Sequence, residues 1–302
     1  MTKRVAIAGS TGLIGGALRR LLLDRGDEVV RLVRGPARAS DEQTWDPASG
    51  VLPLSALDGV DAVVNLAGAG IGDRRWNTAH KRLVESSRVD ATRTIAHALA
   101  AIHEQGGRRV QFVNGSAVGY YGDRRDEVLT EHSEPGGDFL AGLVQRWEAA
   151  TREADDAGLP VVLLRTGLVM ARDGGAFGKV LMLSRLGLGG PLGSGREWWP
   201  WITVVDATRA IAHLIDHPEI VGPVNVVSPA PARQRDIAAE LGRQLSRPAL
   251  LPAPRLALRA VVGEFADYIV ASQQVLPARL LDSGFTFEHP DLESAVRWLV
   301  TR

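Results

Sequence analysis

The chain of 302 residues contains no cysteine. Disulfides, thiolate metal sites and a cysteine nucleophile are therefore excluded. Lysine and tyrosine are almost as scarce. The lysines are Lys3, Lys81 and Lys179 and the tyrosines are Tyr120, Tyr121 and Tyr268, so arginine supplies nearly all of the 35 basic side chains. Chemistry that needs a Tyr–Lys pair has few places to reside. Net charge is missing too, because 35 acidic groups balance the 35 basic ones. That balance argues against binding nucleic acid or an anionic membrane by bulk charge. No apolar run reaches the roughly 18 residues a transmembrane helix needs. No apolar targeting segment precedes the first strand-like run, so a cytoplasmic placement is expected.

What is present has the profile of a globular protein, 45% hydrophobic and 23% charged. Lys3–Ala8 is short, apolar and β-prone. It runs into Gly9-Ser10-Thr11-Gly12-Leu13-Ile14-Gly15, after which Ile14, Ala17, Leu18, Leu21 and Leu22 recur at helical spacing up to Gly26. Glu28–Val33 reads as a second strand, completing a βαβ unit. Further strands are expected at 61–67, 110–113 and 161–164. Helices are expected around Ile95–Ile102, ending at Gly106-Gly107, and over Phe139–Asp156. Asp206 reads as the N-cap of a helix reaching His217, and Val224–Val227 as a return to the sheet. This alternation predicts an α/β, Rossmann-type doubly wound parallel sheet with a smaller, mostly helical C-terminal substrate lobe. The expected division is residues 1–170 with 203–228 in the dinucleotide-binding unit, and 171–202 with 229–302 in the lobe.

The spacing Gly9, Gly12, Gly15 carries the main functional signal. Between a strand and a helix, such glycines allow a tight turn, close approach of backbone to a diphosphate, and close strand–helix packing. The helix N-terminus then offers N–H groups and partial positive charge to phosphate. The end of the second strand discriminates between nicotinamide cofactors. An acidic residue there would bond a ribose 2′-hydroxyl, whereas arginine accommodates a 2′-phosphate. Arg34 stands there, and no Asp or Glu occurs from Val29 to Ser40. NADP(H) is expected over NAD(H), the alternative being that Arg34 is a solvated loop charge. Asn65-Leu66-Ala67-Gly68 closes a buried strand at the edge where α/β sheets bind ligands. Ser116, Tyr120 and Tyr121 follow another strand at that edge, where a hydroxyl and a phenol can share a substrate proton during hydride transfer. A packed glycine-rich loop is the competing reading. A nucleophile elbow is excluded, since Asn114 and Val118 stand where Gly-x-Ser-x-Gly requires glycine. His213 and His217 lie four apart on a helix but lack the His-Glu-x-x-His pattern, and are read as helix C-terminal histidines.

These strings resemble the extended short-chain dehydrogenase/reductases. With Arg165–Val169, Leu186–Arg196, Trp201-Ile202, Pro223–Asn225 and Leu276–Leu281, they resemble more narrowly an atypical epimerase group carrying a C-terminal lobe of unknown role. The resemblance covers nearly the whole chain. It implies NADP(H) bound by Gly9 to Gly15, Arg34, Asn65 to Gly68 and Leu168, and a substrate pocket between the lobes. By analogy, Arg196, Trp198 and Trp201 lie on the substrate side, the tryptophans either stacking on a ring or burying the seam. Arg165 either meets substrate or makes a structural ion pair. A small-molecule substrate and a homodimer are expected by the same analogy; a metal, nucleic acid or membrane partner is not. One departure bears on mechanism. Active members carry Tyr-x-x-x-Lys on the helix after the Ser strand, and aligning on Glu148 puts Leu140 and Val144 at those positions. The expected function is an oxidoreductase or nucleotide-sugar-epimerase-like enzyme with a different proton relay through Tyr120 or Tyr121. The alternative is a non-catalytic NADPH-sensing protein.

Overall fold

The computed structural model describes residues 2–301 except Asp73 and Asp173, and the side chains of these except Ala176 and Val261. Seven parallel strands form the main sheet: β1 (Arg4–Ala8), β2 (Glu28–Val33), β3 (Glu42–Thr44), β4 (Ala62–Asn65), β5 (Gln111–Ala117), β6 (Val161–Thr166) and β7 (Gly222–Val226). Their order is β7-β6-β5-β4-β1-β2-β3. The order reverses at β1, between β2 and β4, which is the switch point where a doubly wound Rossmann sheet opens a crevice at its strand ends. Central strands are apolar on both faces: Val5, Ala6, Ile7, Ala8, Val63 and Val64 are wholly buried. That continuous run is what helices covering both faces require.

On one face, α1 (Leu13–Asp24) packs beside α4 (Val204–Asp216), burying Leu18, Leu22, Ile211 and Leu214 against Val5, Ile7 and Val64. On the other, α2 (Thr78–Glu104) buries Ala91, Ile95 and Leu99 against Ala6, Val63 and Phe112. Next to α2 lies α3 (Phe139–Ala149), capped by Asp138, whose carboxylate accepts from the Ala141 N–H at 2.9 Å. Sequence periodicity finds only the C-terminal part of α2, because its first turns alternate charged side chains with Val84 and the capping Asn77. The cap of α4 is also displaced from expectation. Thr203, not Asp206, is the N-cap, and the Asp206 carboxylate accepts from the Glu288 and His289 amides at 2.7 and 2.9 Å. A second cluster, centred on Phe177, Leu181, Trp201, Leu241 and Leu299, lies in the later segments.

The turn from β1 into α1 tolerates no side chain at two glycines. Gly9 has φ +82°, and a Cβ there would lie 2.6 Å from Leu66 O. A Cβ on Gly15 would overlap the Gly9 carbonyl, whereas one on Gly16 would meet only Ser10 O at 3.6 Å. Gly15→Ala is therefore expected to destabilise the fold by about 1–3 kcal/mol in urea unfolding. Gly16→Ala, in open helix, should be neutral or stabilising by up to about 1 kcal/mol. Equal stabilities for the two variants would contradict this packing.

Candidate active site

The glycine turn leaves a bare cradle. α1 begins at Gly12 with no side-chain cap and no acidic residue in its first turn. Its first amides have no intrahelical acceptor and are open to an anion. Ser10 is buried, Thr11 exposed, and Leu13 and Ile14 half-buried. The neighbouring strand end touches this turn, since Ala8 pairs in register with Asn65. Asn65 faces inward, donating to Asn114 Oδ1 at 2.8 Å and Thr92 Oγ1 at 3.1 Å. Leu66, Ala67 and exposed Gly68 present backbone to the strand-end crevice. These features fit a dinucleotide diphosphate: uncapped amides, a left-handed glycine, and backbone where a Cβ would obstruct.

At the end of β2 the arginines divide. Arg31 grips Asp41 through two hydrogen bonds of 2.7 and 2.8 Å and reaches Glu42 at 2.9 Å. The hydrogen bond from Arg31 holds the Asp41 carboxyl below its usual range. Arg34 is exposed and makes no ion pair among the described residues. A free guanidinium at this position suits a 2′-phosphate.

Ser116, the last residue but one of β5, lies in a buried network. Its hydroxyl donates to Glu148 Oε1 at 2.6 Å. Glu148, on α3, is held by Arg165 of β6 through contacts of 2.9 and 3.0 Å. Arg165 also donates to the Tyr121 hydroxyl at 3.2 Å and lies 3.4 Å from the centroid of the Tyr120 ring. Burial opposes its charge, but the hydrogen bonds and attraction of Glu148 outweigh this and raise its pKa. Arg165 thus makes the structural ion pair that was one of its two expected roles.

The two adjacent tyrosines differ. Tyr121 is fully buried, and its hydroxyl donates to Asn225 Oδ1 at 2.7 Å. Burial raises its phenol pKa despite the nearby Arg165. Tyr120 is half-buried and its hydroxyl has no partner among the described residues. The expected departure at the Tyr-x-x-x-Lys positions has a structural form. Leu140 and Val144 both face Gly119, within 3.7 and 3.8 Å of where its Cβ would lie. Val144 packs with Val84 and Leu143, so an apolar seam fills this stretch of α3. The third tyrosine, Tyr268, joins Trp76 at a centroid distance of 5.2 Å, while Trp76 stacks on Phe265 at 5.3 Å and meets Phe139 at 5.7 Å. Burial and then Asp138 push the Tyr268 phenol up.

Of the residues expected on the substrate side, Arg196 and Trp198 both meet Arg233. Arg196 is exposed, and its carbonyl accepts from Arg233. Trp198 is half-buried, donates to Asp126 at 2.9 Å and has Arg233 4.3 Å from its ring. Trp201 stands apart: it is 1% exposed, donates to Ala230 O at 3.1 Å and packs in the second core cluster. Its neighbours on the chain begin a strand pair, Trp201–Thr203 with Leu168–Met170, which draws the ring inward and half-buries Leu168 against the same cluster. His213 bonds Ser283 Oγ at 2.9 Å, and burial lowers its pKa, so the α4 C-terminus carries a histidine biased toward neutral rather than charged.

Sequence reasoning passed over Glu131 and the network roles of Glu148 and Asn225. Glu131 is buried, with Oε1 accepting from Asn225 N at 3.0 Å. Glu148 served only to align the helix and Asn225 only as part of a family string; their pairings are not signalled locally, because Ser116–Glu148, Tyr121–Asn225 and Glu131–Asn225 are 32, 104 and 94 residues apart. The Arg165–Glu148 pair makes a measurable claim. Arg165→Met or Glu148→Gln should each destabilise the protein by about 3–5 kcal/mol, because each strands a buried partner. Arg165→Met combined with Glu148→Leu should lie closer to wild type than either single variant. Additive losses in urea unfolding would show that the two side chains act independently.

Comparison with known proteins agrees with this construction. Residues 5–227 match the family model of the NAD dependent epimerase/dehydratase family, and residues 253–299 match a domain of unknown function, DUF1731. An epimerase family protein of Mycobacterium bovis is 42% identical over 299 residues, covering 99% of this chain and 98% of the relative. The human epimerase family protein SDR39U1 is 38% identical over 306 residues, covering 98% of this chain and 99% of that protein. The crystal structure of human SDR39U1 with NADPH superposes with a TM-score of 0.88 at 35% identity, covering 98% of each chain. With the glycine cradle, the strand order and this match along most of its length, the chain belongs to the NAD-dependent epimerase/dehydratase family.

Proposed function

We propose that this protein binds NADP(H) across the ends of β1, β2 and β4 and acts as an oxidoreductase or epimerase-like enzyme on a small-molecule substrate. The carrying observation is the bare cradle from Gly9 to Gly15 beside an unpaired Arg34. The NADPH in the human SDR39U1 structure supports the same cofactor. Gly9, Gly12 and the first amides of α1 would hold the diphosphate, Arg34 the 2′-phosphate, and the backbone of Leu66 to Gly68 the ribose edge. When bound, the nicotinamide supplies or accepts hydride. The chain's own work is to hold the substrate and its proton. Ser116 gives its proton to Glu148 Oε1, so its oxygen lone pairs are left to accept from a substrate hydroxyl. Tyr120, whose hydroxyl is free, is the proton-holding group of the pair; Tyr121 is committed to Asn225. Residues 171–202 and 229–302 form the lobe that closes over the substrate.

A second reading rests on a specific feature. Leu140 and Val144 make the family's relay position apolar, as a protein that senses NADPH without turnover would permit. The two readings separate in measurements on purified protein. Calorimetry should give a Kd for NADPH at least tenfold below that for NADH. Arg34→Ala should narrow the gap by about 1.5–3 kcal/mol, the contribution of a hydrogen bond to a charged group. Equal affinities would end the NADP(H) assignment. Spectrophotometric screening against carbonyl compounds and sugar nucleotides should show NADPH oxidation that falls about 10²–10⁴-fold in Tyr120→Phe, with the NADPH Kd unchanged. Tight NADPH binding without turnover on any substrate would favour the sensor.

A further inference from the structure

Away from the strand ends, exposed apolar side chains gather on one edge of the later segments. The helix Gly175–Arg185 and the loop after it expose Met182, Leu183, Leu186 and Leu188. A second stretch exposes Leu250, Leu251 and Leu256, at 80%, 54% and 82%. The backbone joins the two stretches. Ala253 N donates to Pro191 O at 2.8 Å, Gly193 N donates to Ala253 O at 2.9 Å, and a Cβ on Gly187 would lie 3.7 Å from Pro248. Seven of the thirteen large hydrophobics exposed among the described residues therefore stand on two segments packed side by side. Single exposed leucines need no explanation, but a concentration of this kind marks a contact surface.

The charge around this edge has one sign. No Asp or Glu occurs between Asp173 and Glu197 or between Glu240 and Glu264. Those intervals hold Lys179, Arg185 and Arg196, then Arg243, Arg247, Arg255 and Arg259. Some are cancelled from outside: Glu240 holds Arg243 at 2.6 Å, and Asp267 holds Arg255 at 2.8 Å and Arg259 at 2.7 Å. With its arginines gripped by Asp267, the short helix Arg255–Val262 exposes Leu256 and Ala260, one turn apart. Lys179, Arg185 and Arg247 are exposed and make no ion pair among the described residues. They flank the leucines: Lys179 lies one turn before Met182 and Leu183, Arg185 precedes Leu186, and Arg247 precedes Pro248. A second copy of the chain is a poor occupant, because a two-fold pairing of this edge would set cations against cations. The occupant is anionic. Leu250 and Leu256 are exposed nearly as in an extended chain, so they project from the surface. A bilayer interface receives projecting leucines at any spacing, whereas a polypeptide would need pockets cut to match them. We propose that this edge is a peripheral docking surface for an anionic lipid bilayer, its leucines entering the headgroup boundary and Lys179, Arg185 and Arg247 meeting lipid phosphates. No described helix is long and apolar enough to cross a bilayer, so the contact is peripheral. Overall neutrality rules out attraction by bulk charge and leaves attraction by a local basic patch.

Co-sedimentation with vesicles tests this. Wild type should pellet with vesicles of equal parts phosphatidylcholine and phosphatidylglycerol, and added salt should release it. On phosphatidylcholine alone, binding should be at least about tenfold weaker. Leu250→Ser with Leu256→Ser should weaken binding to the anionic vesicles at least about tenfold, and Arg185→Gln with Arg247→Gln should do likewise. Both double variants should melt at the wild-type temperature, because all four side chains are exposed. Val51→Ser, at an exposed apolar position elsewhere, should bind as wild type does. Failure of wild type to pellet with the anionic vesicles overturns the proposal, as does unchanged binding in either double variant. Two further outcomes, each with the vesicles ignored, overturn it by reassigning the face. A wild-type dimer that Leu250→Ser with Leu256→Ser converts to monomer in analytical ultracentrifugation would make it a self-interface. Binding of an amphipathic peptide of leucine and glutamate would make it a seat for an acidic helix.

Discussion

The buried pair of Arg165 and Glu148 sets where everything at the strand ends can lie. Two charges with side chains 4% and 10% exposed are costly to desolvate, and the cost is offset only if the remaining donors and acceptors are satisfied. They are satisfied from two strands and the segments after β5: Ser116 from β5, Tyr121 beyond it, the Glu131 carbonyl, and Asn225 of β7 through Tyr121. The pair therefore fastens α3 to the sheet in one register. Once α3 is fixed at Glu148, the positions one and two turns toward its N-terminus are fixed as well. They carry Leu140 and Val144, so the seam above Gly119 is apolar. The side chains at these two positions cannot exchange protons.

A second constraint acts between β1 and β4. In-register pairing of Ala8 with Asn65 brings two turns into contact, and Gly9 is what allows it. Asn65, Asn114, Thr92 and the Trp147 indole then make a closed polar chain, with Trp147 donating to Thr92 at 3.0 Å. A fully satisfied buried network of this kind favours one arrangement of its elements. It joins β4, β5, α2 and α3 and so makes the base of the strand-end crevice rigid.

Much of this was legible in the sequence, for identifiable reasons. Strands buried on both faces read as apolar runs, and the β1 turn is signalled by glycines that the backbone contacts require. Arg34 could be singled out because a single residue at the end of β2 bears on the choice of cofactor, and the structure leaves it exposed. Local pattern does not report on long-range pairing. Glu148 and Arg165 are 17 apart, Tyr121 and Asn225 are 104 apart, and nothing around either pair announces the other. For Trp201 the sequence left ring stacking and burial both open, and its strand pairing with Leu168 makes it a core residue. The first half of α2 escaped because it lacks an apolar stripe and is held by its Asn77 cap and by contacts with α3.

The surplus of arginine over lysine follows from the same division of labour. A guanidinium can hold a carboxylate with two parallel bonds, lie on an aromatic face and remain charged when buried. Arg165 does all three at once, and Arg31 does the first. Such arginines are spent on the fold, and their charge is cancelled within the protein. Arg34 belongs to the other group: it makes no ion pair among the described residues and stands exposed at the end of β2. The chain as a whole is neutral, so long-range attraction cannot select an anionic ligand. Selection then falls to local groups such as the exposed Arg34 and the uncapped α1 N-terminus, so where charge is placed counts for more than how much of it there is.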